Sequence, residues 1–132
     1  MRTLSIFLLS LVIASGCEVI IVEPVYDPRD KFVGNYEFEE YSETWDEILT
    51  YHISIRKSSH DDHEVYIKNF YGASINVYAF VEDHHITIPF QEVDMYEIEG
   101  SGTWIDGEIS FTYYVHDLLE DVPADFCQGL AW

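Results

Sequence analysis

The chain has 132 residues, of which 48% are hydrophobic and 16% aromatic, and its 25 acidic and 6 basic residues give a net charge of −19. This length fits one domain, and so many aromatic residues argue against a disordered chain. The negative charge excludes a nucleic-acid-binding surface and repels anionic lipid head groups. It fits either a solvated surface adapted to salt or to life outside the cell, or a surface that attracts calcium or a cationic partner.

The first seventeen residues have the organisation of a signal peptide. Arg2 precedes an apolar run over 4–14, which is too short to span a bilayer as a mature helix, and small residues at 14–16 lead into Cys17. Small residues before a cysteine resemble the lipobox of bacterial lipoproteins, with Ala14 where that motif usually has Leu. The alternative is ordinary secretion, with cleavage nearby and a free Cys17.

The lipobox resemblance implies cleavage after residue 16 and acyl chains, such as palmitate, on Cys17. Each buried methylene contributes roughly 0.8 kcal/mol, so several chains form a lasting membrane anchor. The resemblance also implies an outer-membrane location, because Glu18 stands where inner-membrane lipoproteins tend to have Asp. The cleaved chain would keep 25 acidic and 5 basic residues, a net charge of −20.

Two prolines follow the cysteine and disfavour a helix there. An apolar run at 19–22 is followed by Pro24 and Pro28, so we interpret this stretch as a tether. The predicted organisation is a signal peptide over 1–16, a lipidated cysteine and tether over 17–30, and one domain over 31–132.

From residue 32 onward, apolar residues alternate at period two and turn residues interrupt them every 8–15 positions, with no helical stripe. Consecutive strands joined by short turns predict an all-β, antiparallel, up-and-down barrel in which the last strand pairs with the first. We predict eight strands, at 32–40, 47–57, 64–70, 74–81, 85–91, 96–105, 108–116 and 126–132.

The alternation also predicts which side chains face inward. Leu49 and Phe90 belong to inward sets, while Pro89 removes a ladder donor and predicts a bulge or an incompletely paired stretch. Gly100 and Gly102 suit the coiling that closes a small barrel. The longest loop, 117–125, includes two leucines that can cover one end of the barrel.

The rhythm of these strands resembles that of small lipocalin-like lipoproteins of Gram-negative bacteria. The first strand contains FVGNY, with Tyr36 where a lipocalin has Trp. The other similar segments are DPRDKFVGNYEFEEY, YHISIRKSS, VYIKNFYG, HHITIPFQEV and EGSGTWIDGEISFTYYV. The resemblance implies a lipid-anchored barrel and supplies no catalytic residues.

Many of these lipoproteins have a second cysteine near the first strand, but 35–44 contains none here. With Cys17 lipidated, Cys127 is either a buried small hydrophobe or a site of intermolecular contact. Without lipidation, a disulfide between the two cysteines is possible.

A meander places alternate turns at the same end of the barrel. The turns near 60–63, 82–85 and 106–107 lie at the tether end, where the N-terminal segment enters, and those near 41–46, 71–73, 92–94 and 117–125 lie at the opposite, mouth end. Histidines with carboxylates gather at the tether end and suit zinc, but the spacing fits no rigid motif, which favours exposed histidines in polar turns over a metal site. They are His60, His63, His84 and His85.

Two further groups of residues are candidates for binding. An acidic rim at the mouth end, with Asp94, Glu120 and Asp121, can bind calcium or steer a cationic partner. Inward aromatic residues either line a pocket for a small apolar ligand or fill a solid barrel; the predicted walls are Tyr36, Tyr51, Trp104 and Phe111.

The leading functional prediction is therefore a lipid-anchored cell-envelope protein that binds a small apolar ligand at its mouth end. The alternative is a non-catalytic interaction protein, an inhibitor or a subunit of an envelope complex, with a solid barrel and an acidic interface for a cationic protein. No nucleophile elbow, phosphate loop or Cys–His pair supports an enzyme, and no cofactor or metal is predicted.

Overall fold

A computed structural model describes residues 26–132, so the predicted signal peptide and Cys17 lie outside the described residues. The described chain forms a closed all-β barrel, and no helix within it is long and apolar enough to cross a membrane. The strands are β1 (Gly34–Ser42), β2 (Glu47–Lys57), β3 (Glu64–Phe70), β4 (Ile75–Glu82), β5 (His85–Val93), β6 (Tyr96–Ile105), β7 (Glu108–Asp117) and β8 (Asp125–Ala131).

Every strand pairs antiparallel with the next, and β8 pairs with β1, so the predicted eight-stranded meander is confirmed. Three strands, β2, β3 and β6, have the bounds predicted from the sequence. The closing pair joins Phe38 to Ala131 and Ser42 to Cys127 in register. Closure removes the free edges along this seam, in agreement with a final strand that needs its partner.

Side chains fill the barrel interior. Phe38 is 2% exposed, and its ring centroid lies 5.2 Å from that of Tyr51 and 5.8 Å from that of Phe111. Glycines make room for these rings, because a Cβ added to Gly129 would lie 2.1 Å from the Phe38 ring and one added to Gly100 would lie 2.4 Å from the Cβ of Tyr113. The aromatic side chains therefore occupy space that the glycines leave open.

Two predictions of inward side chains are wrong. Phe90 is 54% exposed, because the pairing of β5 with β6 shifts between Ile88 and Gln91 and turns Gln91 inward. The interruption around Pro89 was predicted, but its effect on the neighbouring side chain was not. Leu49 is 55% exposed, because β2 runs past the end of its pairing with β3.

The segment before β1 closes the tether end. The Arg29 guanidinium is buried and donates to the main-chain oxygens of Ser58 at 2.9 Å, Asp61 at 3.1 Å and Glu64 at 3.2 Å. Asp27 binds the same guanidinium at 2.9 Å, and the hydrogen bond from Arg29 holds the pKa of Asp27 well below its usual range. The end of the predicted tether is thus fixed to the turn between β2 and β3.

Candidate functional site

A network of buried polar side chains occupies the mouth end of the barrel interior. Glu40 on β1 is 2% exposed and accepts hydrogen bonds from the hydroxyls of Tyr113, on β7, and Tyr51, on β2. Beside it, Asp125 at the start of β8 is 5% exposed. Every buried side-chain nitrogen and oxygen of residues 26–132 has a hydrogen-bond partner. The network is therefore internally satisfied, as a stable buried polar cluster must be.

Asp125 connects three parts of the mouth. It accepts hydrogen bonds from the hydroxyl of Ser42, at the end of β1, and from that of Tyr71, in the turn after β3. The Ser42 hydroxyl oxygen in turn accepts from the main-chain N–H of Trp45 at 3.0 Å. These bonds hold the turns after β1 and β3 to the first residue of β8, so the mouth has a fixed shape.

Burial sets the protonation of this network. It raises the pKa of the Glu40 carboxyl, and it raises the pKa of Tyr51 and Tyr113, where the adjacent Glu40 charge adds to the effect. The phenols therefore stay protonated and act as hydrogen-bond donors. Burial likewise raises the pKa of the Cys127 thiol, so this cysteine is not an activated nucleophile at neutral pH.

An open cleft of about 280 Å³ lies above the network. Its walls combine the aromatic side chains of Trp45, Tyr71 and Tyr96 with the carboxylates of Asp117 and Glu120. The Tyr71 and Tyr96 rings meet edge to face with centroids 6.2 Å apart. Aromatic faces and carboxylates both attract cations, so the cleft suits a positively charged group attached to an apolar body.

The structure separates the predicted acidic rim residues. Glu120 lines the cleft, whereas Asp121 is exposed beside it and Asp94 lies in the turn between β5 and β6. This turn and the 118–124 loop are joined by a hydrogen bond from the Leu118 N–H to the Met95 carbonyl at 2.9 Å. The same loop leaves Leu119 75% exposed, so this leucine does not cover the mouth.

The four predicted pocket walls do not surround a common space. Tyr36 is buried toward the tether end, with its hydroxyl donating to the Phe32 carbonyl at 2.7 Å, and Phe111 packs against Phe38. Trp104 lies at the tether end, with its ring stacked on that of His84 at 5.7 Å. Of the four, Tyr51 alone joins the polar network at the mouth.

Of the residues in this network, Tyr51 alone is a predicted site residue. The others are Glu40, Ser42, Tyr71, Tyr113 and Asp125. Continuing the alternation of β1 from the buried Tyr36 and Phe38 reaches Glu40 and Ser42, which are buried on the same side of the strand. The signal lies in this alternation, although the predicted first strand ends at residue 40 and so leaves out Ser42. Asp125 falls within the predicted 117–125 loop, whereas it is the first residue of β8 and is 5% exposed.

The histidines of the tether end do not converge. His63 lies 3.7 Å from Asp61, while His84 lies 3.0 Å from the Lys31 ammonium and His85 lies 3.5 Å from the Thr103 hydroxyl. Within residues 26–132, no three His, Cys, Asp or Glu side chains are grouped so that they can hold a metal ion.

Comparison of the sequence with protein-family models and with curated proteins finds no match. Among solved structures, the chain is similar to a redesigned β-barrel, with 10% sequence identity and a TM-score of 0.53. The similarity covers 83% of this chain and 96% of the other. At this identity, the comparison establishes the fold of the chain as a β-barrel.

Proposed function

We propose that this chain is a lipid-anchored, non-catalytic cell-envelope protein whose mouth cleft binds a cationic group of a partner. The observation that carries the proposal is the pairing of aromatic walls with the Asp117 and Glu120 carboxylates in one open cleft. A protonated amine or guanidinium satisfies both kinds of wall, because its charge faces the carboxylates while its carbon chain contacts the rings.

The filled interior favours this function over a small apolar ligand inside the barrel. Phe38, Phe111 and Tyr113 pack against one another where such a ligand would have to lie. The remaining opening at the mouth is lined by acids, and burying carboxylates against an apolar ligand costs free energy. A cationic partner replaces that cost with attraction to the carboxylates. The net charge of −19 on the protein also attracts such a partner at a distance.

The cleft is tested with a cation and its neutral isostere. We expect butylguanidinium to bind the full-length protein in detergent micelles and to change its tryptophan fluorescence, whereas butylurea does not bind. Removing one carboxylate by Glu120→Gln should weaken binding about threefold to tenfold, in keeping with a partly exposed ion pair. The control variant is Asp106→Asn, which removes a carboxylate in the turn between β6 and β7, at the opposite, tether end, and should leave binding unchanged. Equal binding of both compounds, or no effect of Glu120→Gln, would refute the proposal.

The anchor is tested separately. We propose that Cys17 carries acyl chains that hold the protein on the outer membrane, with support from the sequence pattern before this residue. Mass spectrometry of protein purified from membranes should show a chain that begins at Cys17 with added acyl mass. Cys17→Ser should release the protein from the membrane fraction. A mature chain with an unmodified Cys17 would contradict lipidation.

A further inference from the structure

The strand β2 is longer than its pairing with β3. It spans 11 residues and pairs with β1 from Glu47 to Ile55, but its pairing with β3 covers only Ser54–Lys57. Along the stretch 47–53, therefore, β1 lies on one side and no strand of residues 26–132 lies on the other. This part of the sheet is an open edge beside the mouth.

Whether a residue of β2 is odd- or even-numbered decides which side of the strand its backbone N–H and C=O groups face. In an antiparallel strand, the N–H and C=O of one residue point to the same side, and alternate residues point to opposite sides. The Ser58 N–H donates to the Glu64 carbonyl at 3.0 Å, and the His52 carbonyl accepts from the Asn69 side chain at 2.7 Å. Even-numbered residues of β2 therefore face the β3 side.

Ile48 and Thr50 are even-numbered, and the same alternation reaches them, because the register between β1 and β2 continues without a shift from Gly34 to Ser42. Their N–H and C=O groups consequently point away from β1 into the open side. Ile48 is 64% exposed, and its neighbour Leu49 is 55% exposed.

The side chains of this edge do not protect it. Natural edge strands are usually blocked by lysine, proline, a bulge or a covering loop. The sequence from Ile48 to Tyr51 is Ile-Leu-Thr-Tyr, which has high strand propensity and contains neither charge nor proline. An exposed edge of this kind accepts an extended peptide as an additional strand.

We propose that the β2 edge, at Ile48 and Thr50, is a strand-addition site for an extended basic segment of a partner protein. The partner's charge follows from the acids beside the edge, which are Asp46 and Glu47 at its start and Glu39 opposite Thr50 on β1. A second copy of this chain would bring the same acids and a further net charge of −19. The choice of a cationic partner is the one point that rests on the proposed function.

The edge also adjoins the cleft. Trp45 lines the cleft and lies two residues before β2, and the turn that contains Tyr71 contacts Tyr51 through Gly72, where an added Cβ would lie 3.3 Å from the Tyr51 ring. Because side chains alternate between the two faces of a sheet, every second residue of an added segment would point to the interior face of the barrel, beside the cleft. A basic side chain at such a position is placed to enter the cleft.

The probe is a labelled peptide of alternating lysine and valine, eight residues long by design, added to the full-length protein in detergent micelles. Fluorescence anisotropy measures binding, and amide hydrogen exchange measures protection of single N–H groups. In the free protein, we expect the Ile48 and Thr50 amides to exchange rapidly. The peptide should slow both at least tenfold, and a peptide with glutamate in place of lysine should bind at least tenfold more weakly.

Thr50→Pro removes the N–H that the added strand would use, without removing a bond to β1, so it should reduce peptide binding at least tenfold. Thr50→Ala keeps the N–H, and we expect at most a threefold loss. If Thr50→Pro does not fold, a peptide N-methylated at alternate residues gives the same test from the partner's side. It should bind at least tenfold more weakly than the unmodified peptide.

Several results would overturn the proposal. Amides at Ile48 and Thr50 that are already protected in the free protein would mean that another part of the chain or a second copy covers the edge. Binding that Thr50→Pro and N-methylation leave unchanged would exclude strand addition, and equal binding of the lysine and glutamate peptides would exclude a basic occupant. If butylguanidinium fails to bind while the lysine peptide protects the edge, the cleft function fails and the strand-addition site stands.

Discussion

Gly129→Ala measures whether the barrel interior is filled. Gly129 faces inward on β8, and a Cβ added there would lie 2.1 Å from the far end of the Phe38 ring, well inside van der Waals contact. The ring has little room to retreat, because Phe111 lies on it at a centroid distance of 5.8 Å and Tyr113 at 6.3 Å. The new methyl group must therefore displace several packed aromatic side chains together.

Overpacking of a well-packed core costs about 1–3 kcal/mol. Since the Phe38 ring is surrounded by other rings, we expect Gly129→Ala to lower the free energy of unfolding by about 2–3 kcal/mol. For a domain of roughly one hundred residues, each kcal/mol corresponds to about 4 °C or more, so the melting temperature should fall by about 10 °C. Urea unfolding followed by tryptophan fluorescence measures the change.

Two variants accompany this measurement. Gln128→Ala, on the exposed face of the same strand, should change the free energy of unfolding by less than about 1 kcal/mol. Phe38→Leu shortens the side chain that the methyl group meets, so the double variant should lose about 1–2 kcal/mol less than the two single losses added together. A cost below about 0.5 kcal/mol for Gly129→Ala would refute the filled interior and restore a pocket for a small apolar ligand.

Glu40→Gln should become more stable relative to the natural chain as pH rises from about 4.5 to 8, because burial raises the folded-state pKa of Glu40 and the cost of ionising it appears only above its unfolded value. Urea unfolding at several pH values checks this, and parallel pH profiles would contradict it. Arg29→Met should lower the free energy of unfolding by about 2–4 kcal/mol, because three main-chain carbonyls lose a charged donor. In the same urea assay, Lys57→Met removes a half-exposed cation nearby and should lower the free energy of unfolding much less than Arg29→Met, because water screens its ion pairs. Cys127 should react with a thiol reagent only after the protein unfolds in urea, because it is 2% exposed and its pKa is raised; rapid reaction in the folded state would show that β8 opens.

The sequence predicted the architecture because period-two alternation and short turns act locally. The hairpin turn at Asp106 and Gly107 and the strand bounds of β2, β3 and β6 follow from nearest neighbours along the chain. Errors arose where a side chain's direction depends on another strand. Phe90 turns outward because the ladder with β6 shifts, and Leu49 is exposed because β3 is too short to cover it.

The candidate site was harder to predict than the fold. The acidic residues of the mouth were recognised as a group, and Glu120 does line the cleft. The buried pair Glu40 and Asp125 was not recognised, because a carboxylate is stable inside a barrel only when donors from distant strands reach it. Those donors are tyrosine and serine hydroxyls from other parts of the sheet, and no local pattern connects them.

The distribution of satisfied and unsatisfied groups along the barrel decides where a partner can bind. At the tether end, Arg29 already bonds the carbonyls that face it, and in the middle the rings around Phe38 fill the space. At the mouth end, the inner polar groups are paired, but the cleft carboxylate of Glu120 and the backbone of Ile48 and Thr50 have no such partners within residues 26–132. A ligand gains free energy from hydrogen bonds and ion pairs mainly with groups that the fold leaves unpaired, since paired groups must first be separated. In the proposed lipid-anchored protein, an anchor at the N-terminal end would hold the opposite end away from the membrane, so the end with unpaired groups would also be the end most accessible to a partner.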